Sequence, residues 1–456
     1  MPTLNIVILA AGKGTRMHSD KPKVLHALAG QSLVGHVIQC AEQLSPQKIV
    51  VVHGYGGETV QQAFKGKPLL WAEQAQQMGT GHAVQQALPY LDDDGISLIL
   101  LGDVPLIEPV TCQALLDHAK NSLVLLTVMK DDPTGYGRIV RNEQGAVSAI
   151  VEHKDATETL RAIKEVNSGI MAMPNRSLKK WLAALGNDNA QGEYYLTDIV
   201  AMAVEDQMVV QAVVTTDEWQ VAGINSKQDL AAVERVYQQR KASALLQAGV
   251  TLADPARIDI RGPLTVGRDV EIDVGCIFEG SVSLGDGVKV GAYSILREAV
   301  VGAGTQIAPY THMEQVKIAN DCRIGPYARL RPGTELANET HVGNFVELKN
   351  AQVDVGSKIN HLSYVGDSTV GKQVNIGAGT ITCNYDGANK FRTVIEDGAF
   401  IGSDSQLVAP VTVGAGATIG AGSTITKDAP AGELTLSRGR QTTIKGWKRP
   451  VKKSGA

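Results

Sequence analysis

A glycine-rich segment near the N-terminus has the composition of an anion-binding loop. It runs Leu9-Ala10-Ala11-Gly12-Lys13-Gly14-Thr15-Arg16-Met17 and continues an apolar stretch. Two closely spaced glycines let the backbone curl so that successive N–H groups converge on one anion, and Arg16 and Lys23 add positive charge. The segment lacks the four-residue gap of a P-loop, and Met17 stands where a dinucleotide motif has its third glycine. The loop therefore predicts a phosphate site of another class.

This loop follows the first of several short apolar runs that alternate with helix-like stretches. Residues 6–9, 48–53, 97–101 and 123–129 predict buried strands, whereas residues 33–44 and 59–64 have helical spacing. The alternation predicts an α/β fold with a mostly parallel sheet covered on both faces. Parallel sheets bind ligands at the carboxyl ends of their strands, so the glycine loop and Gly102-Asp103 are expected at one edge.

After Pro255 the sequence changes to a six-residue period. Aliphatic-glycine pairs recur at this spacing, as in Leu284-Gly285 followed by Val290-Gly291. Aromatic residues make up only 4 % of the chain, so aliphatic side chains must fill this core. The period is typical of the hexapeptide parallel β-helix, in which three short strands form a coil and stacked coils bury an aliphatic ladder. Residues 384–392 break the period and are expected to loop out.

A long helix is predicted between the two halves. Residues 226–247 contain neither glycine nor proline, and their apolar side chains have a roughly helical spacing that Gly249 closes. We therefore divide the chain into a first domain of residues 1–227, a linker helix of residues 228–248 and a second domain of residues 249–456.

Composition excludes several classes of protein. The 43 basic and 47 acidic residues give a net charge of −4, which argues against a nucleic-acid binder. The sequence contains no run of 18 apolar residues, so no membrane span is predicted. The first apolar run is not preceded by a basic leader or a cleavage site, so no signal peptide is predicted. Five scattered cysteines without a CxxC pair indicate reduced thiols. A cytoplasmic protein is expected.

Several motifs together resemble one enzyme family. The glycine loop followed by Lys21-Pro22-Lys23 resembles the signature of sugar-phosphate nucleotidyltransferases. Gln74 with Gly79-Thr80-Gly81-His82, Leu101-Gly102-Asp103, Thr134-Gly135-Tyr136-Gly137-Arg138 and the hexapeptide half narrow the resemblance further. Over nearly its whole length the chain resembles the bacterial bifunctional N-acetylglucosamine-1-phosphate uridyltransferase/glucosamine-1-phosphate acetyltransferase family. The resemblance implies a Rossmann-like nucleotidyltransferase domain, a linker helix and a left-handed parallel β-helix.

For the first half, the resemblance implies synthesis of UDP-N-acetylglucosamine from UTP and N-acetylglucosamine 1-phosphate. Positioning and charge neutralisation would do most of this chemistry, with Arg16 and Lys23 offsetting phosphate charge. Asp103 and Asn225 match the positions that hold Mg²⁺, a cation that prefers oxygen ligands. The residues that match nucleotide- and sugar-binding positions are Leu9, Ala10, Ala11, Gly12, Lys23, Gln74, Gly79, Thr80, Leu101, Gly102, Asp103, Gly137, Glu152, Asn167 and Asn225. Leu101 departs from the family, in which relatives often have tyrosine.

For the second half, the resemblance implies transfer of an acetyl group from the co-substrate acetyl-CoA to the amine of glucosamine 1-phosphate. His361, in Asn360-His361-Leu362-Ser363-Tyr364-Val365-Gly366, matches the general base, which is useful because only a neutral amine attacks a thioester. The residues that match the acceptor site are Arg331, Lys349, Tyr364 and Asn375. Those that match positions around the acceptor and acetyl-CoA are Asn384, Tyr385, Ala378, Ser403, Ala421 and Arg438.

Two features of the second half carry open alternatives, and a third concerns its assembly. The basic residues after Ser437 are either a solvated tail or a clamp for the negative 3′-phospho-ADP end of CoA. Cys383 makes a covalent acetyl-cysteine route conceivable, but no histidine–cysteine spacing supports it, and direct transfer is favoured. Prisms of this family associate as trimers with sites between subunits, so the resemblance implies a homotrimer.

Two other functions stay open at this point. The chain could be a single-function nucleotidyltransferase whose β-helix only oligomerises or regulates, or a non-catalytic sensor of nucleotide sugars. The His361 segment with Arg331, Lys349 and the loop at Asn384-Tyr385-Asp386 argues against the first, because a purely structural solenoid does not need this set. The combination of Asp103, Asn225 and Lys23 argues against the second.

Overall fold

The computed structural model describes residues 3–452, which form two compact units. The first extends to Arg240 and the second begins at Lys241. All five cysteines lie among the described residues and are free thiols. Over the same residues, every helix is too short or too polar to cross a membrane.

The first unit alternates strands and helices. Its strands are β1 (Leu4–Ala10), β2 (Ala27–Leu28), β3 (Gln31–Ser32), β4 (Lys48–His53), β5 (Leu70–Glu73), β6 (Ile96–Leu101), β7 (Ser122–Met129), β8 (Arg138–Arg141), β9 (Val147–Val151), β10 (Glu165–Pro174) and β11 (Val209–Thr215). Its α-helices are α1 (Leu33–Gln43), α2 (Gly57–Ala63), α3 (Thr80–Ala87), α4 (Pro109–Leu116), α5 (Glu158–Arg161), α6 (Asn175–Ala184) and α7 (Ile199–Glu205), and α8 (Lys227–Gln247) contains the boundary at Arg240.

The main sheet of this unit is mixed. Its strand order is β11-β7-β10-β6-β1-β4-β5, and β8 pairs with β10 and β9. The pairs β1–β4, β1–β6, β4–β5 and β7–β11 are parallel, as the sequence predicts. Strand β10 lies between β6 and β7 and runs antiparallel to both, and the prediction of a mostly parallel sheet did not include this strand.

The pattern of buried residues explains why these elements form. In β1, Ile6 and Ile8 belong to the core on one face of the sheet and Val7 to the core on the other, so all three are fully buried. A strand covered on both faces is a continuous apolar run rather than an alternating one. Helix α1 begins where the Ser32 side chain accepts a hydrogen bond from the Gly35 N–H at 3.2 Å.

Parallel pairing places the two predicted loops side by side. Leu9 of β1 lies opposite Leu101 of β6, and the Gly102 N–H donates to the Leu9 carbonyl at 2.8 Å. The glycine loop and Gly102-Asp103 therefore leave the sheet at the same edge, as the sequence predicts.

The second unit is built almost entirely of short parallel strands. In chain order they are Thr251–Leu252, Ile258–Arg261, Leu264–Val266, Glu271–Ile272, Cys276–Glu279, Val282–Leu284, Lys289–Val290, Ile295–Val301, Gln306–Ile307, His312–Ile318, Arg323–Ile324, Arg329–Leu330, Glu335–Leu336, His341–Asn344, Glu347–Val353, Lys358–His361, Tyr364–Val370, Asn375–Ile376, Ile381–Cys383, Thr393–Ile395, Phe400–Ile401, Gln406–Val408, Val411–Val413, Thr418–Ile419, Thr424–Ile425 and Leu434–Thr435. These strands confirm the parallel β-helix predicted from the six-residue period.

Each coil stacks on the next in register. Leu296 lies opposite Phe278 of the preceding coil and Met313 of the following one, and all three are buried. The strand Ile295–Val301 pairs through its first half with one strand of the coil below and through its second half with the next, bending at Glu298. The interior is thus a column of mostly aliphatic side chains that no single coil could bury alone.

One corner of the prism carries an exposed aromatic ladder. Tyr293, Tyr310, Tyr327 and Phe345 stack with ring centroids 5.3, 4.9 and 5.3 Å apart. Each turns the corner with a positive φ, at 58°, 60°, 56° and 57°. Leu362, with a φ of 47°, turns the corresponding corner of the following coil. A positive φ is unfavourable for residues with bulky side chains, and the stacking of the rings offsets part of this backbone strain.

The loop predicted at residues 384–392 leaves the prism between the strands Ile381–Cys383 and Thr393–Ile395. It is held by a bridge between Tyr385 and Lys390 and by the Phe391 N–H, which donates to the Asn384 carbonyl at 2.9 Å.

Truncating the interior column should destabilise the prism strongly. Leu296→Ala is expected to lower the free energy of unfolding by about 2–5 kcal/mol, because it leaves a cavity between Phe278 and Met313. Urea denaturation followed by circular dichroism measures the loss. Val300→Ala, on the same strand but half-exposed, is the matched control and should cost much less. Equal losses in the two variants would contradict the stacked core.

Candidate active sites

A cavity of about 400 Å³ opens at the carboxyl edge of the first unit's sheet. Its wall contains ten of the predicted residues, namely Leu9, Ala10, Ala11, Gly12, Lys23, Gln74, Gly79, Thr80, Leu101 and Asp103. Val24, Gln77, Ala83 and Glu193 complete it. Residues from five separate stretches of the sequence thus meet at the edge where parallel strands end.

The loop geometry requires glycine at Gly14. Its φ is 61°, and a β-carbon there would lie 2.5 Å from the β-carbon of Lys23. Gly14 therefore lets the loop fold back so that Lys23 reaches the cavity. Arg16 lies in the short 3₁₀ helix Thr15–Met17, is exposed and is not among the residues that line the cavity.

Two oxygen atoms converge on the ammonium group of Lys23. Its Nζ lies 2.5 Å from Oδ2 of Asp103 and 3.0 Å from Oδ1 of Asn225. The Lys23 and Asp103 side chains are 11 % and 19 % exposed, so the pair is largely shielded from water. Asn225 reaches this point because the Ile224 N–H donates to the Asp103 carbonyl at 2.9 Å. The structure therefore brings together both residues predicted to hold a metal ion.

Hydrogen bonds fix the wall formed by Gln74, Gly79 and Thr80, and two of them connect it to the segment Tyr194–Leu196. Buried Gln74 donates from Nε2 to the Gly79 carbonyl at 3.0 Å. The Gly81 N–H donates to the Tyr194 carbonyl at 2.8 Å, and the Thr80 hydroxyl accepts from the Leu196 N–H at 3.1 Å. The sequence prediction did not include the segment at Tyr194–Leu196, which has no motif of its own.

A second cluster contains the residues predicted to bind the sugar. The Asn167 N–H donates to the Gly137 carbonyl at 2.9 Å, and Glu152 accepts from the Thr197 hydroxyl at 3.1 Å. A β-carbon at Gly137 would lie 3.3 Å from Oε1 of Glu152, so these residues are neighbours. Burial raises the pKa of Glu152, and the carboxylates of Asp198 and Asp155 raise it further, whereas the Thr197 hydrogen bond works against them.

Leu101 stands between the cavity and this second cluster. A β-carbon on Gly169, two residues after Asn167, would lie 2.9 Å from Cδ1 of Leu101. Gly169 has a φ of 83°, in a stretch of β10 where the pairing register shifts. The leucine therefore packs closely against the backbone of Gly169, where a larger side chain would need that backbone to move.

In the second unit, His361 ends the strand Lys358–His361 and is exposed. Its Nδ1 lies 3.0 Å from Oδ1 of Asn344, a residue that the sequence prediction did not single out. Asn344 precedes His361 by one coil of the helix and lies opposite it in the parallel pairing. The coil length of 17 to 18 residues was the signal that could have identified it.

The two predicted phosphate-binding cations are each paired with a carboxylate. Arg331 donates from Nη1 to Oε1 of Glu347 at 2.8 Å, and Nζ of Lys349 lies 3.8 Å from Oδ2 of Asp367. Tyr364 lies opposite Glu347 on the next coil, so these residues share one face of the prism.

Asp367 is a residue that the sequence prediction missed. It accepts hydrogen bonds from Nδ2 of Asn350 at 2.7 Å and from Nδ2 of Asn384 at 2.5 Å. Burial alone would raise the pKa of Asp367, but these bonds and the charge of Lys349 lower it below its ordinary value. Contact with the Lys349 ammonium group lowers the pKa of Lys390, so the loop brings a further cation to this face. Asp367 therefore anchors the loop through Asn384.

The residues predicted to line the acetyl-CoA site form a column along one corner. The Asp404 N–H donates to the Ala378 carbonyl at 2.7 Å, and the Gly422 N–H to the Ser403 carbonyl at 2.8 Å. Arg438 closes the column by donating from Nη1 to the Ala421 carbonyl at 2.9 Å. The Gly379 N–H approaches the His361 carbonyl at 3.4 Å, which places His361 at the foot of this column.

Two predicted residues stand apart from these contacts. Asn375 lies on the same face as His361, paired with Lys358 and Phe400. Tyr385, more than half exposed, donates from its hydroxyl to the Gly387 carbonyl within the loop.

Comparison with known proteins assigns a family to each part of the chain. Residues 6–253 match the MobA-like NTP transferase domain, and residues 392–427 match the bacterial transferase hexapeptide family with six repeats. The "Bifunctional protein GlmU" of Methylobacillus flagellatus is 69 % identical over 98 % of both chains. The protein of the same name from Cupriavidus pinatubonensis is 60 % identical over 99 % of this chain and all of its own. The hexapeptide match and the parallel coils confirm the predicted left-handed β-helix.

The raised pKa of Glu152 predicts a pH-dependent stability. A carboxyl group whose pKa is higher in the folded than in the unfolded protein binds more protons when folded. The contribution of Glu152 to the free energy of unfolding therefore falls as pH rises from its unfolded toward its folded pKa. Glu152→Gln should abolish this decline, so the variant is more stable than wild type at neutral pH and not in acid.

Urea denaturation at a series of pH values measures this difference. Glu143→Gln, at an exposed position in the same unit, serves as the matched control and should leave the curve unchanged. Superimposable curves for wild type and Glu152→Gln would contradict the effect of burial on this carboxyl group.

Proposed function

The chain belongs to the GlmU family of bifunctional proteins, and from this premise we propose that it catalyses two successive reactions. It acetylates glucosamine 1-phosphate and then transfers UMP from UTP to N-acetylglucosamine 1-phosphate, releasing pyrophosphate. The observation that carries this proposal is that the similarity extends over both units, each of which contains its own cluster of candidate residues. We assign uridylyl transfer to residues 1–227, acetyl transfer to residues 249–456 and the connection to a linker helix at 228–248.

In uridylyl transfer, an oxygen of the sugar phosphate attacks the α-phosphorus of UTP in line, and pyrophosphate leaves. The backbone of Leu9–Gly12 would bind the nucleotide phosphates, and Gln74 with Gly79 and Thr80 would contact uracil. Support comes from the shared cavity and from the bond that holds the Gln74 amide against Gly79. The protein would act mainly by positioning and by neutralising charge, for which Lys23 lies in the cavity and Arg16 at its exposed approach.

Asp103 and Asn225 would hold Mg²⁺. Their oxygen atoms already converge on one cationic atom, the Lys23 Nζ, and oxygen is the ligand type that Mg²⁺ prefers. Among residues 3–452 no group of three or more His, Cys, Asp or Glu side chains could hold a metal, which fits an ion that also uses substrate phosphates. When bound, Mg²⁺ supplies positive charge at the reacting phosphate.

The acetylated sugar would bind beside Gly137, Glu152 and Asn167. These three residues are adjacent and Leu101 separates them from the nucleotide cavity, an arrangement that suits one substrate spanning both clusters. Glu152 would accept hydrogen bonds from sugar hydroxyl groups with the oxygen that Thr197 leaves free.

In acetyl transfer, His361 would accept the proton of the amine as the nitrogen attacks the thioester carbonyl and the CoA thiolate leaves. Arg331 and Lys349 would bind the sugar phosphate, with Tyr364 and Asn375 completing the acceptor site. Support comes from the positions of Arg331, Lys349 and Tyr364 on one face beside the histidine-bearing corner. Direct transfer is favoured over an acetyl-cysteine, because burial raises the pKa of Cys383 and disfavours the reactive thiolate.

The acetyl-CoA would lie along the column of Ala378, Ser403, Ala421 and Arg438, next to Asn384 and Tyr385. Small residues suit a narrow slot for the pantetheine arm, and the basic residues after Ser437 would bind the phosphates of CoA. We propose that three chains associate, so that the acetyl-transfer sites lie between subunits, and that the enzyme works in the cytoplasm.

Separate inactivation of the two reactions tests the proposal. Asp103→Asn should abolish uridylyl transfer and leave acetyl transfer nearly intact, whereas His361→Ala should lower acetyl transfer about 10²–10⁴-fold and leave uridylyl transfer intact. Each activity is measured with its own substrates, so each variant provides the folding control for the other. Wild-type uridylyl turnover in Asp103→Asn would remove Asp103 from the site. Full acetyl transfer in His361→Ala would remove the proposed base.

The position of Lys23 predicts competition with the metal ion. Lys23→Met should tighten binding of Mg²⁺ to the nucleotide-free protein about tenfold or more, because the wild-type ammonium group neutralises Asp103 and repels a second cation. Isothermal titration calorimetry with Mg²⁺ alone measures the affinity. Lys21→Met, at a neighbouring exposed lysine, should bind as wild type does. Unchanged or weaker binding in Lys23→Met would contradict the idea that the Lys23 ammonium group and Mg²⁺ compete for Asp103.

A further inference from the structure

We propose that Asn344 is a positioning residue for acetyl transfer, which holds His361 in the tautomer that can accept a proton. This inference rests on the proposed role of His361 as the base. Asn344 would act only through the imidazole ring and would not touch the sugar or acetyl-CoA.

The contact is built into the pairing of adjacent coils. Asn344 and His361 lie directly opposite each other in neighbouring parallel strands, with Oδ1 of Asn344 3.0 Å from Nδ1 of His361. The main chain of Asn344 holds the same turn, because its carbonyl accepts from the Leu362 N–H at 3.1 Å. Asn344 therefore contacts both the ring of His361 and the backbone that follows it.

The chemistry of the two atoms determines the tautomer. An amide oxygen can only accept a hydrogen bond, so Nδ1 of His361 must carry the proton. In the neutral ring the lone pair is then on Nε2. No other residue among 3–452 makes a hydrogen bond to this ring, so Nε2 is left available for the amine. The other tautomer would present an N–H group there and could not act as a base.

Further contacts keep the ring from leaving this position. The Ser363 hydroxyl donates to the His361 carbonyl at 2.8 Å and thereby braces the turn from its far side. Phe345, next to Asn344, is the last ring of the aromatic ladder and stacks on Tyr327. The amide thus lies on a corner that the stacked coils hold rigidly, which is what the orientation of a catalytic group requires.

The choice of asparagine over a carboxylate has a chemical consequence. Both side chains fix the tautomer by accepting from Nδ1, but a carboxylate would also stabilise the charged imidazolium form. A neutral partner orients the ring without placing a negative charge beside it.

A double-mutant cycle tests the inference. Asn344→Leu, which keeps the size of the side chain and removes the acceptor, should lower kcat for acetyl transfer about 10–100-fold, the usual cost of losing a partner that orients a histidine. KM for glucosamine 1-phosphate should stay unchanged. In the His361→Ala background, Asn344→Leu should cause no further loss, because its effect passes through the ring.

Three controls make the outcomes distinct. Uridylyl turnover in every variant reports on the integrity of the chain. Asn344→Asp, which keeps an acceptor oxygen, should retain acetyl transfer. Asn338→Leu lies at a turn of the prism where its side chain accepts from the Asn320 N–H at 3.0 Å, and it should have wild-type kcat.

The results separate this inference from the proposed function. A normal kcat in Asn344→Leu, with the expected loss in His361→Ala, would overturn the role of Asn344 and leave the base in place. Equal fold-losses from Asn344→Leu in the wild-type and His361→Ala backgrounds would also overturn it. A normal kcat in His361→Ala would overturn both.

Discussion

Parallel register is the physical constraint on which both candidate sites depend. In a parallel pair, equivalent ends of neighbouring strands meet at one edge, so residues far apart in the sequence come into contact without any local motif. In the first unit the pairing of Leu9 with Leu101 brings the glycine loop beside Asp103. In the second unit the same geometry, repeated every coil, aligns Asn344 with His361. In the prism, where only one face of each strand is buried, the packed apolar core enforces this register, since a shift of one residue would turn the buried side chains outward.

Both sites hold their cations with carboxylates. Lys23 lies against Asp103, Arg331 against Glu347 and Lys349 near Asp367. Long basic side chains lose considerable rotamer entropy when they are ordered, and a nearby carboxylate orders them in advance. The basic groups are thus already positioned, and Asp367 in addition anchors the 384–392 loop through Asn384. This arrangement suits reactions in which positioning and charge, rather than covalent catalysis, do most of the work.

Much of the architecture could be predicted because its signals are periodic. The six-residue period indicates short strands that form stacked coils, and the strand–helix alternation indicates a sheet covered by helices. Strand β10 was missed because Asn167, Ser168 and Gly169 interrupt its apolar run, so that no continuous apolar pattern marked residues 165–174 as a strand. Asp367 was missed because its partners, Asn350 and Asn384, converge only through the stacking of coils.

The amino-acid sequence by itself determined the two-part organisation, the parallel coils, the outward loop at 384–392 and the family, because each follows from residue types at regular or characteristic spacings. Only the tertiary structure decided which side chains meet. It placed Lys23 between Asp103 and Asn225, which are 80 and 202 residues away along the chain, and it left Arg16 outside the cavity. It also paired His361 with Asn344. Contacts of this kind depend on strand order and side-chain direction, and these are set by packing the whole core rather than by any local segment.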